Sequence, residues 1–199
     1  LSKGEEKQAA NILGEVENQQ NKNTTIVVQP FGRSARIDNG DIIDDSSISI
    51  ETKTYHKLIK KLSQKYNIVF MGEPDFANAI SNEDQISAKL QIDLRQWASI
   101  IEGCDYFIGC DSVGQHMARA FGKPGTVILG STTAINITYP DHFQIIENED
   151  VEKEYSPIRL CGLDSHHADR INDRCMEFSD EDIEDMYKAI VKDIKEKCE

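Results

Sequence analysis

Two short apolar runs, Tyr106-Phe107-Ile108 and Thr126-Val127-Ile128-Leu129, flank a segment reading Gly109-Cys110-Asp111-Ser112-Val113-Gly114-Gln115-His116-Met117-Ala118-Arg119-Ala120-Phe121-Gly122-Lys123-Pro124. Each run is too short for a buried helix and does not alternate with polar residues. That is the pattern of a strand covered on both faces, as in a parallel sheet. Parallel neighbours need a crossover, and the segment between them holds one helix. The unit repeats along the chain. Thr24–Val28 and Asn67–Met71 enclose a helical stripe of Tyr55, Leu58, Ile59 and Leu62, and Leu94, Trp97, Ala98 and Ile101 mark a helix before Tyr106. Ala88–Ile92 and His142–Ile146 read as further short strands. The expected fold class is α/β: a Rossmann-like parallel sheet flanked by helices, with a C-terminal helix.

The ends of the chain read differently. Residues 3–20 are polar with Ala9, Ile12, Leu13 and Val16 at helical spacing, and Asn18–Asn23 is a polar linker. This divides the chain into a connector helix with its linker (1–23) and the main domain (24–199). Residues 180–197 form an amphipathic helix through Ile183, Met186, Tyr187, Ile190 and Ile194, with Ser179 as its N-cap. Gly103 stands where a glycine would end the Leu94 helix. Asp38–Ser49 is acidic and polar, a surface excursion. Residues 147–178 read as loop, longer than a compact domain usually leaves without a function or a covering partner. Trp97, Cys104 and Cys110 are assigned to the core.

Composition excludes several classes. At 39% hydrophobic residues the chain supports a packed core, and a net charge of -13 argues against nucleic acid as partner. A small anion needs only one local positive pocket and stays open. No apolar run reaches membrane-span length. The start, Leu1-Ser2-Lys3-Gly4, has neither an initiating Met nor a signal segment, so a piece of a longer chain is expected. Five cysteines are too few and odd in number for a disulfide framework, which favours a reducing, cytoplasmic setting. His166-His167, near Cys161 and Cys175, lacks the paired spacing of a zinc site, and no metal is expected.

In doubly wound sheets ligands bind outside the carboxyl ends of the strands. Gly32, Arg33 and Arg36 follow the first strand, Gly72 and Glu73 the second, and Asp111, Ser112, Val113, Gly114 and His116 the fourth; Ile92 closes the 88–92 run. A helix starting near Ser112 presents free N–H groups and a positive dipole end, which favour phosphate. Gly114 would let an anion approach the backbone. Asp111 would repel a phosphate, so it suits loop orientation or a ligand hydroxyl. Simple capping explains Asp-Ser equally well. Arg33 and Arg36 are either the cations of a diphosphate pocket or solvated loop residues. Glu73 is either an acceptor for ribose or base, or a turn residue before Pro74. His116, one turn into the helix, is by default a buried and satisfied histidine, with ligand contact as the alternative.

The run from Trp97 to Ser112, continuing through His116 to Gly122-Lys123-Pro124, resembles the donor-binding half of the heptosyltransferase-like glycosyltransferases, family 9, of the GT-B fold. Asp111, Ser112 and His116 match the family's Asp, Ser/Thr and His spacing. Looser similarity extends over Pro30–Arg36, Gly72-Glu73 and Cys175-Met176, so that most of 24–195 is covered. The resemblance implies a nucleotide-diphosphate sugar as donor, with heptose or a similar sugar, and metal-independent inverting transfer without a cofactor. It implies a glycan acceptor on an N-terminal half that also supplies the catalytic base, absent from these residues. A cytoplasmic enzyme, peripheral to the inner membrane through its acceptor, would follow, with a role in lipopolysaccharide or glycan synthesis. Val113 stands where the family has glycine, and the first loop departs from the family version. The competing expectations are a non-catalytic nucleotide- or sugar-binding module, and an interaction domain presenting the acidic 38–51 and 147–154 loops.

Overall fold

The computed structural model describes residues 1–80, 84–87, 93–149, 151 and 174–198. Helix α1 (Lys3–Gln20) opens on a capping box, Ser2 with Glu5, and ends at Asn21, whose positive φ of 53° reverses the chain. Strand β1 (Thr25–Gln29) leads to an antiparallel hairpin of β2 (Arg36–Asp38) and β3 (Asp41–Ile43). Then follow α2 (Thr52–Leu62), β4 (Asn67–Phe70), α3 (Pro74–Ala79), β5 (Ile86–Ser87), α4 (Leu94–Gly103), β6 (Tyr106–Gly109), α5 (Val113–Ala120), β7 (Gly125–Leu129), the short α6 (Ala134–Ile137), β8 (Gln144–Glu147) and α7 (Asp180–Cys198).

Six strands form one parallel sheet in the order β5-β4-β1-β6-β7-β8. The chain builds outward from β1 in one direction, then returns to add β6 on the other side. The carboxyl ends of β1 and β6 therefore border the topological switch point, where crossovers diverge and leave a crevice. Both faces are covered, which is why the strands carry unbroken apolar runs. Ile26, Val28, Ile68, Phe70, Tyr106 and Ile108 pack beneath α2 and α7, while Val27, Val69, Phe107 and Val127 pack beneath α1, α4 and α5.

Most expected elements stand within a residue or two of their expected positions. The Ser179 N-cap is present: its hydroxyl accepts from the Asp182 N–H at 3.1 Å, and Asp182 returns the bond to the Ser179 N–H at 2.7 Å. Trp97, Cys104 and Cys110 are buried. The expected 88–92 strand lies outside the described residues, as does most of 147–178. Helix α3, the hairpin and α6 are additions to the expected list.

Two expectations are corrected. Gly103 is the last residue of α4 and does not reverse the chain; a Cβ there would sit 2.5 Å from Leu13 Cδ1, so any side chain would have to displace Leu13 where α1 packs on α4. Asp38–Ser49 is only partly a surface excursion. Its hairpin is largely exposed, but Ser47, Ile48 and Ser49 are buried together with Ile50. The chain threads back across the sheet ends: Ser131 donates from its N–H to the Ser47 carbonyl at 3.1 Å and from its hydroxyl to the Ser46 carbonyl at 2.5 Å. Among the described residues no helix is long and apolar enough to cross a membrane.

Candidate functional site

The switch point is organised by a residue with no motif to announce it. Gln29, the last residue of β1, is 3% exposed. Its side-chain carbonyl accepts the Gly114 N–H at 2.9 Å, and its amide donates to Ser112 Oγ at 2.9 Å. One side chain thus ties β1 to the first turn of α5. Ser112 is the N-cap of α5 with extended backbone, but its hydroxyl makes no cap bond and faces the β1 side instead. Gly114 is required here because a Cβ would collide with Gln29 Oε1 and lie 2.8 Å from the Phe107 ring. The close approach that Gly114 permits in this structure is that of Gln29 and Phe107.

Around this start of α5 the expected residues fall into two groups. Asp111 and Ser112 are half-buried at the carboxyl end of β6, and Gly32 lies beside them, its missing Cβ 3.6 Å from the Asp111 carbonyl. Val113 is half-buried at the first position of α5, and Gly114 is buried. Arg33, in the turn beyond Gly32, is exposed and forms no ion pair among the described residues. Arg36 lies farther along on β2, where its guanidinium binds the Asp45 carboxylate; this bond holds Arg36 above the usual arginine range. Between the two arginines, Arg33 is the one uncommitted. Gly72 and Glu73 stand at the carboxyl end of β4, next to β1, with Glu73 exposed as the N-cap of α3 and making no cap bond. Ile92 lies outside the described residues.

His116 corrects the default expectation. It is exposed, not buried, and its Nδ1 is 3.0 Å from Tyr139 Oη, with the two rings edge to face at 5.7 Å. Arg119 lies over the other ring, 5.7 Å from the Tyr139 centroid. The segment after β7 thus meets the open side of α5.

The first loop is held by a carboxylate that the sequence reading passed over. Asp44 accepts from the N–H and hydroxyl of Ser46 at 2.9 and 2.6 Å, and from the N–H and hydroxyl of Ser49 at 3.0 and 2.5 Å. Ser49 Oγ accepts the Gly32 N–H at 2.9 Å, and Ser34 bonds Ser46. Burial pushes the Asp44 carboxyl up, but the serine hydrogen bonds outweigh it and hold the group below its usual range. The sequence signal, Asp-Asp-Ser-Ser-Ile-Ser, was visible, but its local pattern gave no hint that it folds back onto Gly32. Among the described residues no three His, Cys, Asp or Glu side chains are placed to hold a metal ion; His166-His167 lies outside them.

Comparison with known proteins agrees with this architecture. Residues 51–154, just over half the chain, match the family model of glycosyltransferase family 9 (heptosyltransferase). No curated protein sequence matches. Among solved structures, the ADP-heptose lipopolysaccharide heptosyltransferase II of E. coli is 18% identical with a TM-score of 0.53, covering 77% of this chain and 46% of that one. A family 9 glycosyltransferase from Veillonella parvula is 15% identical at a TM-score of 0.53, covering 75% and 42%. The iron-containing dodecameric glycosyltransferase TibC of enterotoxigenic E. coli is 11% identical at 0.54, covering 87% and 47%. At these identities the likeness is one of fold, and the chain spans less than half the length of each of the three.

Proposed function

The chain belongs to glycosyltransferase family 9, and we propose that within it these residues form the donor-binding domain, holding a nucleotide-diphosphate sugar across the carboxyl ends of β1 and β6. The observation that carries this reading is the start of α5 at the switch point. The N-terminus of that helix, with half-buried Ser112 as its N-cap, opens at the carboxyl end of β6, and Gly32, which borders Asp111, leads into the exposed and uncommitted Arg33.

The chemistry follows from charge. When an acceptor oxygen attacks the anomeric carbon, the carbon–oxygen bond to the diphosphate breaks and its electron pair goes to the diphosphate. The positive end of α5 and the Arg33 guanidinium stabilise that developing charge without a metal ion or cofactor. Because the attack comes from the face opposite the leaving group, the product is inverted. Asp111 accepts a donor hydroxyl, and Glu73, one strand over, accepts from ribose or base. His116, oriented by Tyr139, completes the rim. A glycan acceptor and the catalytic base come from an N-terminal half outside these residues, with α1 as the connector into the domain. This assigns the activity to the cytoplasmic face of the inner membrane, where a membrane-borne acceptor brings the enzyme to the surface.

Calorimetric titration of the chain with ADP, UDP and GDP tests the reading. One nucleotide should bind saturably, and Ser112→Ala or Arg33→Ala should weaken it. The absence of binding by all three, in this chain and in a longer one carrying the acceptor half, would refute it. A non-catalytic binding module is favoured by one observation, the capture of the Gly114 N–H by Gln29, which removes a backbone donor from the crevice. Transfer by the longer chain decides between the two.

A further inference from the structure

The Gln29 clamp has a direction. A backbone N–H can only donate, so the Gln29 atom that meets the Gly114 N–H at 2.9 Å is the side-chain carbonyl oxygen. That bond fixes the amide against a flip, because the reversed amide would set N–H against N–H. The Gln29 nitrogen is therefore the atom 2.9 Å from Ser112 Oγ, and an amide nitrogen can only donate. Ser112 Oγ accepts, and its own hydrogen is turned away from Gln29.

That hydrogen is not used elsewhere in the fold. Ser112 makes no cap bond to α5, and Gln29 is its hydroxyl's only partner among the described residues. The two residues differ in exposure. Gln29 is 3% exposed, held between the start of α5 and the Phe107 ring side of β6, while Ser112 is half-buried at the carboxyl end of β6. A buried group thus sets the polarity of one that a ligand can reach.

A serine hydroxyl can donate or accept, and left free it rotates to suit either kind of ligand atom. The oxygens of a diphosphate are acceptors only. We propose that Gln29 is a positioning residue for the leaving diphosphate: it fixes the Ser112 hydroxyl as a hydrogen-bond donor to a non-bridging phosphoryl oxygen. This rests on the donor-site reading above, since it names a residue that acts through Ser112 and does not itself touch the nucleotide. The same amide that withdraws one donor from the crevice, the Gly114 N–H, supplies another. A donor already oriented before charge develops on the diphosphate has no reorganisation left to make.

Calorimetry and phosphorus NMR of the full chain test this, with whichever of ADP, UDP and GDP binds the parent. Gln29→Glu keeps the size of the side chain and an acceptor for the Gly114 N–H, but its second oxygen accepts where the amide donated. It draws the Ser112 hydrogen inward, and binding should weaken about tenfold or more. Gln29→Met removes the donor without adding charge, and should weaken binding about fivefold. In a Ser112→Ala background the Gln29→Met loss should fall below about twofold, because no hydroxyl is left to direct. Ser112→Ala should move one of the two phosphorus resonances of the bound nucleotide more than the other, and the Gln29 substitutions should move that same resonance. Binding that is sensitive to Ser112→Ala but indifferent to both Gln29 substitutions would overturn this inference and leave the donor reading standing. So would a Gln29→Met loss that is unchanged in the Ser112→Ala background, or a shift confined to the other phosphorus. If neither this chain nor a longer one carrying the acceptor half binds any of the three nucleotides, the donor reading fails and this inference falls with it.

Discussion

Replacing Gly114 by alanine sets two effects of opposite sign against each other. Alanine is the better helix former by up to about 1 kcal/mol, so propensity alone predicts a more stable protein. The geometry at the switch point predicts the reverse. The added Cβ runs into Gln29 Oε1 and comes within 2.8 Å of the Phe107 ring, both deep in the core. Phe107 is fixed by the sheet, so Gln29 must turn away. That breaks its bonds to the Gly114 N–H and to Ser112 Oγ and leaves a side chain only 3% exposed without partners. Each buried group left unsatisfied costs about 1–3 kcal/mol. Two such losses less the propensity gain leave a net destabilisation of about 1–5 kcal/mol. In urea this moves the unfolding midpoint down by about 0.5–2.5 M at an m-value of about 2 kcal/mol/M, typical of a domain this size. A double-mutant cycle with Gln29→Ala isolates the cause, because without the Gln29 side chain the Gly114→Ala cost should fall to the residual clash with Phe107. A Gly114→Ala protein as stable as the parent, or a fully additive cycle, would refute the claim that Gln29 locks β1 to α5.

Three further outcomes follow from particular contacts. Arg33→Ala should weaken nucleotide binding about tenfold, the worth of one charge-assisted hydrogen bond, while Arg36→Ala, already paired with Asp45, should change it less than about twofold; calorimetry with the bound nucleotide checks the ratio. Because the Asp44 carboxyl is held below its ordinary value of 3.8, it contributes stability that is complete above that pH and is lost as pH falls through the lower folded value. Asp44→Asn should therefore destabilise the protein near neutrality by about 1–3 kcal/mol and flatten its acid unfolding profile below pH 3.8, as followed by circular dichroism. Tyr106→Phe removes the hydroxyl that reaches Thr126 Oγ1 at 2.8 Å and Asp193 Oδ2 at 2.6 Å, leaving Asp193 with Lys197 alone; a loss of about 1–3 kcal/mol, with hydrogen exchange faster in α7 than in β1, is expected.

Strand and helix identities were open to reading from the chain because they rest on local chemistry. Unbroken β-branched and aromatic runs such as Thr25–Val28 and Tyr106–Ile108 can only be buried on both sides, and a helical stripe such as Tyr55, Leu58, Ile59 and Leu62 can bury only one. The Ser179 cap and the start of α5 at Asp111-Ser112 are likewise matters of a few adjacent residues. What the linear pattern could not contain is which distant groups meet. His116 looked like a core residue and faces solvent, because α5 presents it toward Tyr139, 23 residues away. Gly103 and Gly114 both looked like backbone devices, yet each is small because a side chain from another element, Leu13 or Gln29, fills the place of its Cβ. Gln29 carries no motif at all, since its role depends on β1 and β6 being neighbours, a pairing of segments about 80 residues apart along the chain. The loop of Asp44, Ser46 and Ser49 is acidic and polar in sequence but buried in part, because its donors and acceptors satisfy one another. Periodicity and capping are properties of neighbours along the chain, and the sequence alone determined them; the partners of a polar side chain are set by packing, and only the tertiary structure decided those.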